Sequence, residues 1–332
     1  MRDYLRRWLY QVWYGEDKWG FVLVPLAWLF GLVVRARAFA YRIGLLKQHR
    51  LPVPVLIIGN ITVGGSGKTP LLIALCRWFE QRGIKIGVVS RGYGGQLGKQ
   101  RLKVTAESDP ELVGDEPLLI AQSVRCDVAV GQDRVAAARL LCKDPTIKII
   151  LSDDGLQHYR LARDIEIIVA DGTQLFGNKK LLPAGPLREP VARLQTTDFV
   201  IYQQAISADR EYFYLKTNAF VSINDSQEQA ACNFFAGKKV HALAGIAHPE
   251  RFFRQLVGLG CEVIPHAFAD HYCYQRKDVM FEDEHPIIMT EKDAVKCRHL
   301  GVKNAWYLAV EAVIAPEFLQ RLTKRVEEIL RG

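Results

Sequence analysis

Residues 58–70, Ile-Gly-Asn-Ile-Thr-Val-Gly-Gly-Ser-Gly-Lys-Thr-Pro, place glycines, a lysine and a hydroxyl in an order that can hold a triphosphate. In such a loop the backbone N–H groups of Gly64, Gly65 and Gly67 turn in on phosphate oxygens, and the positive end of the following helix adds its dipole. Lys68 would reach the β- and γ-phosphates, and the Thr69 hydroxyl would hold Mg²⁺. The candidate nucleotide-binding loop is therefore Thr62, Val63, Gly64, Gly65, Ser66, Gly67, Lys68 and Thr69. Thr62 stands where the usual pattern has a glycine, five positions before Gly67. A glycine turn ahead of a core helix is the bland alternative. The context outweighs it: a β-rich segment precedes the loop at 53–58, and residues 71–79 repeat apolar side chains at helical spacing.

Acids supply the second constellation. Ser-Asp-Asp-Gly-Leu-Gln-His (152–158) follows an apolar strand at 148–151, and a carboxylate beside a phosphate loop is where such enzymes hold Mg²⁺. Asp153 and Asp154 are the candidates; the structural alternative is a capped Asp-Gly turn. Asp115 and Glu116, before Pro117, read equally well as helix capping or as a base for an attacking hydroxyl. His271, in Phe-Ala-Asp-His-Tyr (268–272), can orient or share a proton with a carboxylate, although a lone histidine is more often structural. Thr-Glu-Lys-Asp (290–293) mimics the guanine-reading pattern Thr-Lys-x-Asp, but its lysine and aspartate are adjacent. ATP is preferred to GTP on that ground.

Around these groups, strands at 84–90, 102–105, 127–130 and 148–151 alternate with helices at 114–123 and 134–142, which predicts a parallel, doubly wound α/β sheet. The glycine loop Ser-Arg-Gly-Tyr-Gly-Gly (90–95) lies at a strand end, where such sheets bind ligands. Near 198–224 the pattern changes to strand-like stretches with no helix between them, read as a β-linker. Beyond it, strands at 239–245, 286–290 and 306–310 and helices at 248–258 and 315–331 predict a second, smaller α/β unit. The expected division is 1–45, an N-terminal helical segment; 46–197, the phosphate-loop domain; 198–225, the linker; and 226–332, the smaller domain.

The chain has 332 residues, 49% of them hydrophobic, enough for a sizeable core, so disorder is excluded. Seven cysteines without a CxxC pair argue for reduced thiols rather than disulfides or zinc. The net charge is +8, and the first 50 residues carry +6 of it, from nine bases (Arg2, Arg6, Arg7, Lys18, Arg35, Arg37, Arg42, Lys47, Arg50) against Asp3, Glu16 and Asp17. These bases flank Trp19–Val34, sixteen residues without a charge, which favours an anionic membrane surface over nucleic acid. A spanning helix needs roughly 20 residues. Pro25 interrupts this run, and no cleavage site follows it, so a monotopic element lying in the membrane face is expected; a buried helix hairpin is the alternative.

Taken in order, these motifs resemble the tetraacyldisaccharide 4′-kinases, the lipid A 4′-kinases of Gram-negative bacteria. The likeness covers GNITVGGSGKTP (59–70), SRGYGG (90–95), GDEP (114–117), SDDGLQH (152–158), LPAGPLREP (182–190), GIAHPERFF (245–253), FADHYCY (268–274) and TEKDAVK (290–296). That family's loop carries threonine at the position of Thr62. The resemblance implies ATP- and Mg²⁺-dependent phosphoryl transfer to the 4′-hydroxyl of a tetraacylated glucosamine disaccharide 1-phosphate, at the cytoplasmic face of the inner membrane. It implies two α/β/α sandwich domains joined by a β-strand linker, and needs neither nucleic acid nor an obligate protein partner. By motif it makes Lys68 and Thr69 the phosphate and Mg²⁺ residues, Asp115 the base, His271 its partner, and Asp153 and Asp154 the Mg²⁺-side acids. Arg91, Arg188 and Glu189 become cleft residues without assigned roles. Ala269 replaces a more usual proline, which leaves His271 in place on a less rigid loop. The runner-up is a membrane-associated phosphate-loop ATPase or GTPase switch acting on a protein partner.

Overall fold

The structure is a computed structural model that describes residues 2–15, 18–98, 100–207 and 210–331. The side chains of Arg2, Asp3, Arg6, Arg7 and Lys18, and Glu16 and Asp17 altogether, lie outside the described residues, so that part of the basic N-terminus has no structural account.

The chain opens with α1 (Arg2–Tyr14) and α2 (Val24–Arg42), then β1 (Val55–Gly59) and α3 (Lys68–Glu80). It continues through β2 (Ile86–Ser90), β3 (Arg101–Val104), α4 (Pro110–Val113), α5 (Asp115–Ser123), β4 (Asp127–Gly131), α6 (Arg134–Leu141), β5 (Ile149–Asp153) and β6 (Ile165–Asp171). After β7 (Phe199–Gln203) and β8 (Tyr212–Ser222) come β9 (Gln229–Ala230), β10 (Lys239–Ala244), α7 (Pro249–Gly258), β11 (Glu262–Ala267), β12 (Ile287–Thr290), α8 (Glu291–Cys297), β13 (Ala305–Ile314) and α9 (Pro316–Arg331).

One sheet runs through the molecule in the order β11-β10-β12-β13-β8-β7-β6-β1-β5-β2-β4-β3, with β9 paired to β8. Strands β7, β6, β1, β5, β2 and β4 are parallel, and β3 closes that edge antiparallel. Two buried clusters cover the two faces of the first unit: α3 and α5 on one, through Leu71, Leu75, Phe79 and Ile120, and α6 on the other, through Val135, Ala138 and Leu141. In the second unit β10, β11, β12 and β13 are parallel, with α7 over one face and α8 over the other. All-buried runs such as Val-Leu-Ile-Ile-Gly in β1 are what a parallel strand covered on both faces requires. The α/β/α sandwich expected from the sequence is present.

The residues between the units do not form a separate linker layer. β7 extends the first sheet beside β6, and β8 pairs antiparallel with β13 along nearly its whole length. One end of this ribbon, Phe213 and Ile314, lies in the first core; the other, Val221 and Tyr307, lies in the second. The register shifts at Ala309/Val310, between the two ends, where Asn218 Nδ2 donates to Glu311 Oε2 at 3.1 Å. Helix α9, grouped by sequence order with the second unit, crosses back instead. Its Phe318, Leu322 and Val326 complete the core around α3, and Trp78 Nε1 donates to Thr323 Oγ1 at 2.9 Å.

At the N-terminus, Pro25 does not interrupt the apolar run. It sits in the first turn of α2, where a missing N–H costs no hydrogen bond, and helical structure extends over the 24 residues Trp19–Arg42. By length and composition that stretch is long enough to cross a membrane. Trp28, Leu29, Leu32 and Val33 are exposed, while Ala27 and Gly31 are buried, Gly31 so tightly that an added Cβ would stand 2.7 Å from Leu181. Arg37 lies 5.9 Å from the Tyr159 ring, and Tyr41 stacks on the same ring at 5.8 Å. Helix α1 is docked on the first unit: Trp13 Nε1 donates to Pro183 O at 2.9 Å, and Asn178 Nδ2 to Val12 O at 3.0 Å.

Candidate active site

The C-terminal ends of the parallel strands in both units open on one cleft of about 2260 Å³. On the first unit's wall, β1 runs into the loop at 60–67 and α3 begins at Lys68. Buried Asn60 braces the loop from inside, its Nδ2 3.4 Å from Gly64 O and 3.3 Å from Ser66 Oγ. From outside, the segment after Leu181 clamps it: Val63 N donates to Pro186 O at 2.9 Å, and Arg188 N to Ile61 O at 2.6 Å. Gly64 (φ 107°) and Gly67 (φ 78°) take left-handed conformations. At Gly67 a Cβ would also stand 3.0 Å from the Phe213 ring and 3.1 Å from Gln203 Oε1. Left-handed turns of this kind let a loop's N–H groups converge on phosphate oxygens.

β5 lies beside β1 and delivers the acids. Asp154, at φ 45°, faces Lys68 Nζ at 3.5 Å and Arg188 Nη1 at 3.1 Å. Burial would raise its carboxyl, but Lys68, Arg188 and Arg134 outweigh burial and hold it below the usual carboxylate range. Asp153 has the opposite balance. It is buried, accepts from Ser90 Oγ at 3.2 Å, and among the described residues its Oδ1 has no partner. Burial, then the nearby charges of Glu116 and Asp154, push it up to about 7. An orphaned carboxylate oxygen in the cleft that Thr69 and the phosphate loop also line suits a divalent cation. Among the described residues no group of three or more His, Cys, Asp or Glu side chains forms a ready metal cage, so an ion here would take oxygens from phosphate and water as well.

Elsewhere on the first unit, Asp115 opens α5 after Gly114, which is the N-cap, so Asp115 is not the capping residue; its Oδ1 accepts from the N–H of Glu116 at 2.9 Å. His271 comes from the second unit, on the loop after β11, with a left-handed backbone (φ 59°). Its Nδ1 lies 3.0 and 3.1 Å from the two Asp115 oxygens, and Tyr93 of the glycine loop packs on the ring at 4.7 Å. Asp115 is buried behind the ring, while His271, Glu116 and Asp270 line the main cleft. Burial would raise the Asp115 carboxyl; the His271 hydrogen bond and the charges of Lys292, His271 and Lys296 outweigh it and hold it low.

The sequence-selected residues therefore fall into two groups across one cleft, Lys68 with Asp153, Asp154 and Arg188 on one side and Asp115 with His271 on the other. Arg91 lines the same cleft. Glu189 is buried and fully engaged, accepting from Tyr159 OH at 2.7 Å and Gln157 Nε2 at 2.9 Å and facing Arg193 Nε at 3.3 Å. Two residues that the sequence reading passed over also face the cleft. His248, at the start of α7, approaches the phosphate loop at Gly64. Lys292 reaches Glu116 Oε1 at 3.0 Å and His271 Nε2 at 3.3 Å. Its neighbour Asp293 is buried and accepts from Gly245 N and Thr290 Oγ1, so the Thr-Glu-Lys-Asp motif has no aspartate free to read a base.

A family model described as tetraacyldisaccharide-1-P 4′-kinase matches residues 19–327. The chain belongs to that family. The tetraacyldisaccharide 4′-kinase of Ruthia magnifica is 45% identical over 304 residues, 92% of this chain and 96% of the relative. That of Methylobacillus flagellatus is 44% identical over 328 residues, 97% of this chain and 98% of the relative. A crystal structure of LpxK from Aquifex aeolicus in complex with ATP superposes with a TM-score of 0.78 at 28% identity, covering 94% of this chain and 99% of that one. The family's name describes action on a tetraacylated disaccharide, and these relatives align with more than nine-tenths of the present chain.

Proposed function

We propose that this protein transfers the γ-phosphoryl group of ATP to the 4′-hydroxyl of a tetraacylated glucosamine disaccharide 1-phosphate, in a cleft that brings its two units together. The reading rests on one observation above all: the phosphate loop and His271, with buried Asp115 bonded behind its ring, line the same cleft. A phosphoryl donor and a hydroxyl acceptor need such a shared cleft, because this chemistry depends on positioning and charge neutralisation.

In this reading the loop at 62–69 cradles the triphosphate, and Lys68 exchanges Asp154 for the β- and γ-phosphates. Thr69 and Asp153 would hold Mg²⁺, with Asp154 beside them; the ion would supply neutralisation of charge developing on the transferred group. The Asp115–His271 pair takes the proton of the sugar hydroxyl as a unit. Nε2 of the ring is its cleft-facing atom, and Asp115 behind it stabilises the charge that the ring acquires. Arg188 and Arg91 add positive charge to the cleft, and Glu189 holds Tyr159 and Gln157 in place. The division at 46–197, 198–225 and 226–332 serves as a description of two walls and a joint, with α9 returning to the first wall.

The membrane reading is supported by the exposed apolar face of α2 and by its attachment to the body through Gly31, Arg37 and Tyr41, which favours a helix lying in the membrane face over one leaving the domain to span it. The protein then sits on the cytoplasmic face, where ATP is, and needs no protein partner. Substituting Trp28, Leu29 and Leu32 with serine should weaken flotation with anionic vesicles while leaving the fold intact; unchanged flotation overturns this placement.

The deciding assay supplies γ-labelled ATP and the disaccharide lipid in detergent micelles. Label appears in the lipid if the reading is right. Label released only as free phosphate, and stimulated by a protein partner, would instead mark a switch ATPase.

A further inference from the structure

Lys292 has no part in the roles given above, yet it touches every polar group around His271. Its ammonium carries three N–H bonds. Three acceptors surround it: Glu116 Oε1 at 3.0 Å, Asp270 Oδ1 at 3.3 Å and His271 Nε2 at 3.3 Å. Asp115 Oδ2 lies slightly farther off, at 3.9 Å. An ammonium has no lone pair, so the ring nitrogen facing it must accept. The ring's single proton then resides on Nδ1, where it is donated to Asp115 at 3.0 Å.

We infer that Lys292 is a positioning residue that keeps Nε2 of His271 free of a proton, ready to receive one from the acceptor hydroxyl. The inference rests on the assignment of Asp115 and His271 as the proton-accepting pair.

The charges around the ring explain why a cation is needed. Asp115 faces it from α5, Asp270 from its own loop, and Lys292 from α8; Glu116 of α5 faces Lys292, and Lys296 on the same helix as Lys292 lies 3.8 Å from Asp115 Oδ2 and 2.9 Å from Asp293. Tyr93 covers the ring from the first unit. The two carboxylates beside the ring can only accept, which asks for N–H on both ring nitrogens, and a ring protonated at both has no lone pair to offer as a base. Lys292 opposes them from the side that the acceptor must use. Its own charge is secure: burial would strip the proton, but Glu116, Asp115 and Asp270 outweigh burial and raise its pKa above the ordinary lysine value. When the sugar hydroxyl arrives at Nε2, the ammonium still has Glu116 and Asp270 to hold it. Because Glu116 belongs to the first unit and Asp270 to the second, the arrangement exists only while the two walls are together.

The test uses the full chain labelled with ¹⁵N-histidine, the His271 signal being assigned by its loss in His271→Gln. At neutral pH the intact protein should show His271 as the neutral Nδ1–H tautomer. Lys292→Met, which keeps the length and removes the charge, should convert it to imidazolium or to the Nε2–H form. The acid limb of the kcat profile should then move upward by about one pH unit or more. Lys292→Arg should restore both. Retained ATP binding shows that the Met variant is folded; if it does not fold, Lys292→Gln takes its place with the same readouts. An unchanged tautomer together with an unmoved pH profile overturns the inference. The tautomer is read without turnover. Full activity in Asp115→Ala and His271→Ala would instead remove the pair's catalytic assignment and leave the tautomer result standing.

Discussion

On the phosphate-loop wall, Lys68, Asp154 and Arg188 all belong to the first unit, and Lys68 and Arg188 both reach Asp154 within 3.5 Å. On the other wall, Asp115 and His271 are 156 residues apart and come from different units. One wall is preformed by a single sheet; the other exists only when two bodies meet. A phosphate site can be built locally because a loop and a helix end supply most of its donors. A site that must admit a lipid headgroup and then exclude water gains from being assembled on closure.

This contrast has consequences that can be measured, beginning with the largest. Asp115→Ala and His271→Ala should each lower turnover by about 10²–10⁴, the range for general acid–base groups, and the double variant should be hardly slower than the worse single. ATP binding should persist in all three. Fully multiplicative losses in the turnover cycle would mean that the two residues act independently, and a matching loss of ATP binding would mean that the walls are not separable.

Lys68→Ala should cost on the order of a hundredfold in turnover with the fold retained, as the developing phosphate charge loses its counter-ion. Circular dichroism checks the fold, and nucleotide titration should show weakened binding, unlike the Asp115 variant. Near-normal turnover would break the phosphate-loop assignment.

Gly67→Ala should destabilise the protein by about 1–2 kcal/mol through the left-handed backbone alone, with crowding against Phe213 adding to it. Gly65→Ala, with open space around the added methyl, should be much milder. Equal midpoints in chemical denaturation would show that the loop rearranges freely.

The remaining effect concerns Asp153 and depends on pH. Its folded pKa, about 7, lies above that of an exposed aspartate, so the folded state binds more protons than the unfolded between roughly pH 4 and 7. Its contribution is therefore a destabilisation that is absent below that window and complete above it. Without Mg²⁺, Asp153→Asn should raise the thermal midpoint by a few degrees at pH 8 and by less at pH 5. Added Mg²⁺ should narrow the gap at pH 8. A gap independent of pH would place the charge of Asp153 elsewhere.

The preformed wall was also the legible one. The loop, its lysine and the following helix are contiguous, so local propensity and spacing carried them, and Asp153 followed from its strand. β6 was missed because no helix separates it from β5, which breaks the alternation used to find strands. β11 was missed because Pro265 interrupts its pattern; the strand pairs only with β10, and an edge position tolerates proline. Helix α9 was visible as a helix, but periodicity names a buried face and not the partner that covers it. The assembled wall was half legible. Asp115 and His271 can be nominated by type, but nothing local joins them, and nothing in the Thr-Glu-Lys-Asp stretch shows that Lys292 reaches Glu116 and His271 across the cleft.

The return of α9 to the first core turns the second unit into an insert, entered along β8 and left along β13. A body hung from one cord can swing and spin about any axis. Hung from two cords laced together, it can do little but bend where the lacing is loose, and here that is the irregular step at Ala309/Val310. Opening then resembles a book turning on its spine: every point on the second unit moves along a fixed arc. Any separation of the units would carry His271 away from Asp115 and back along that one track.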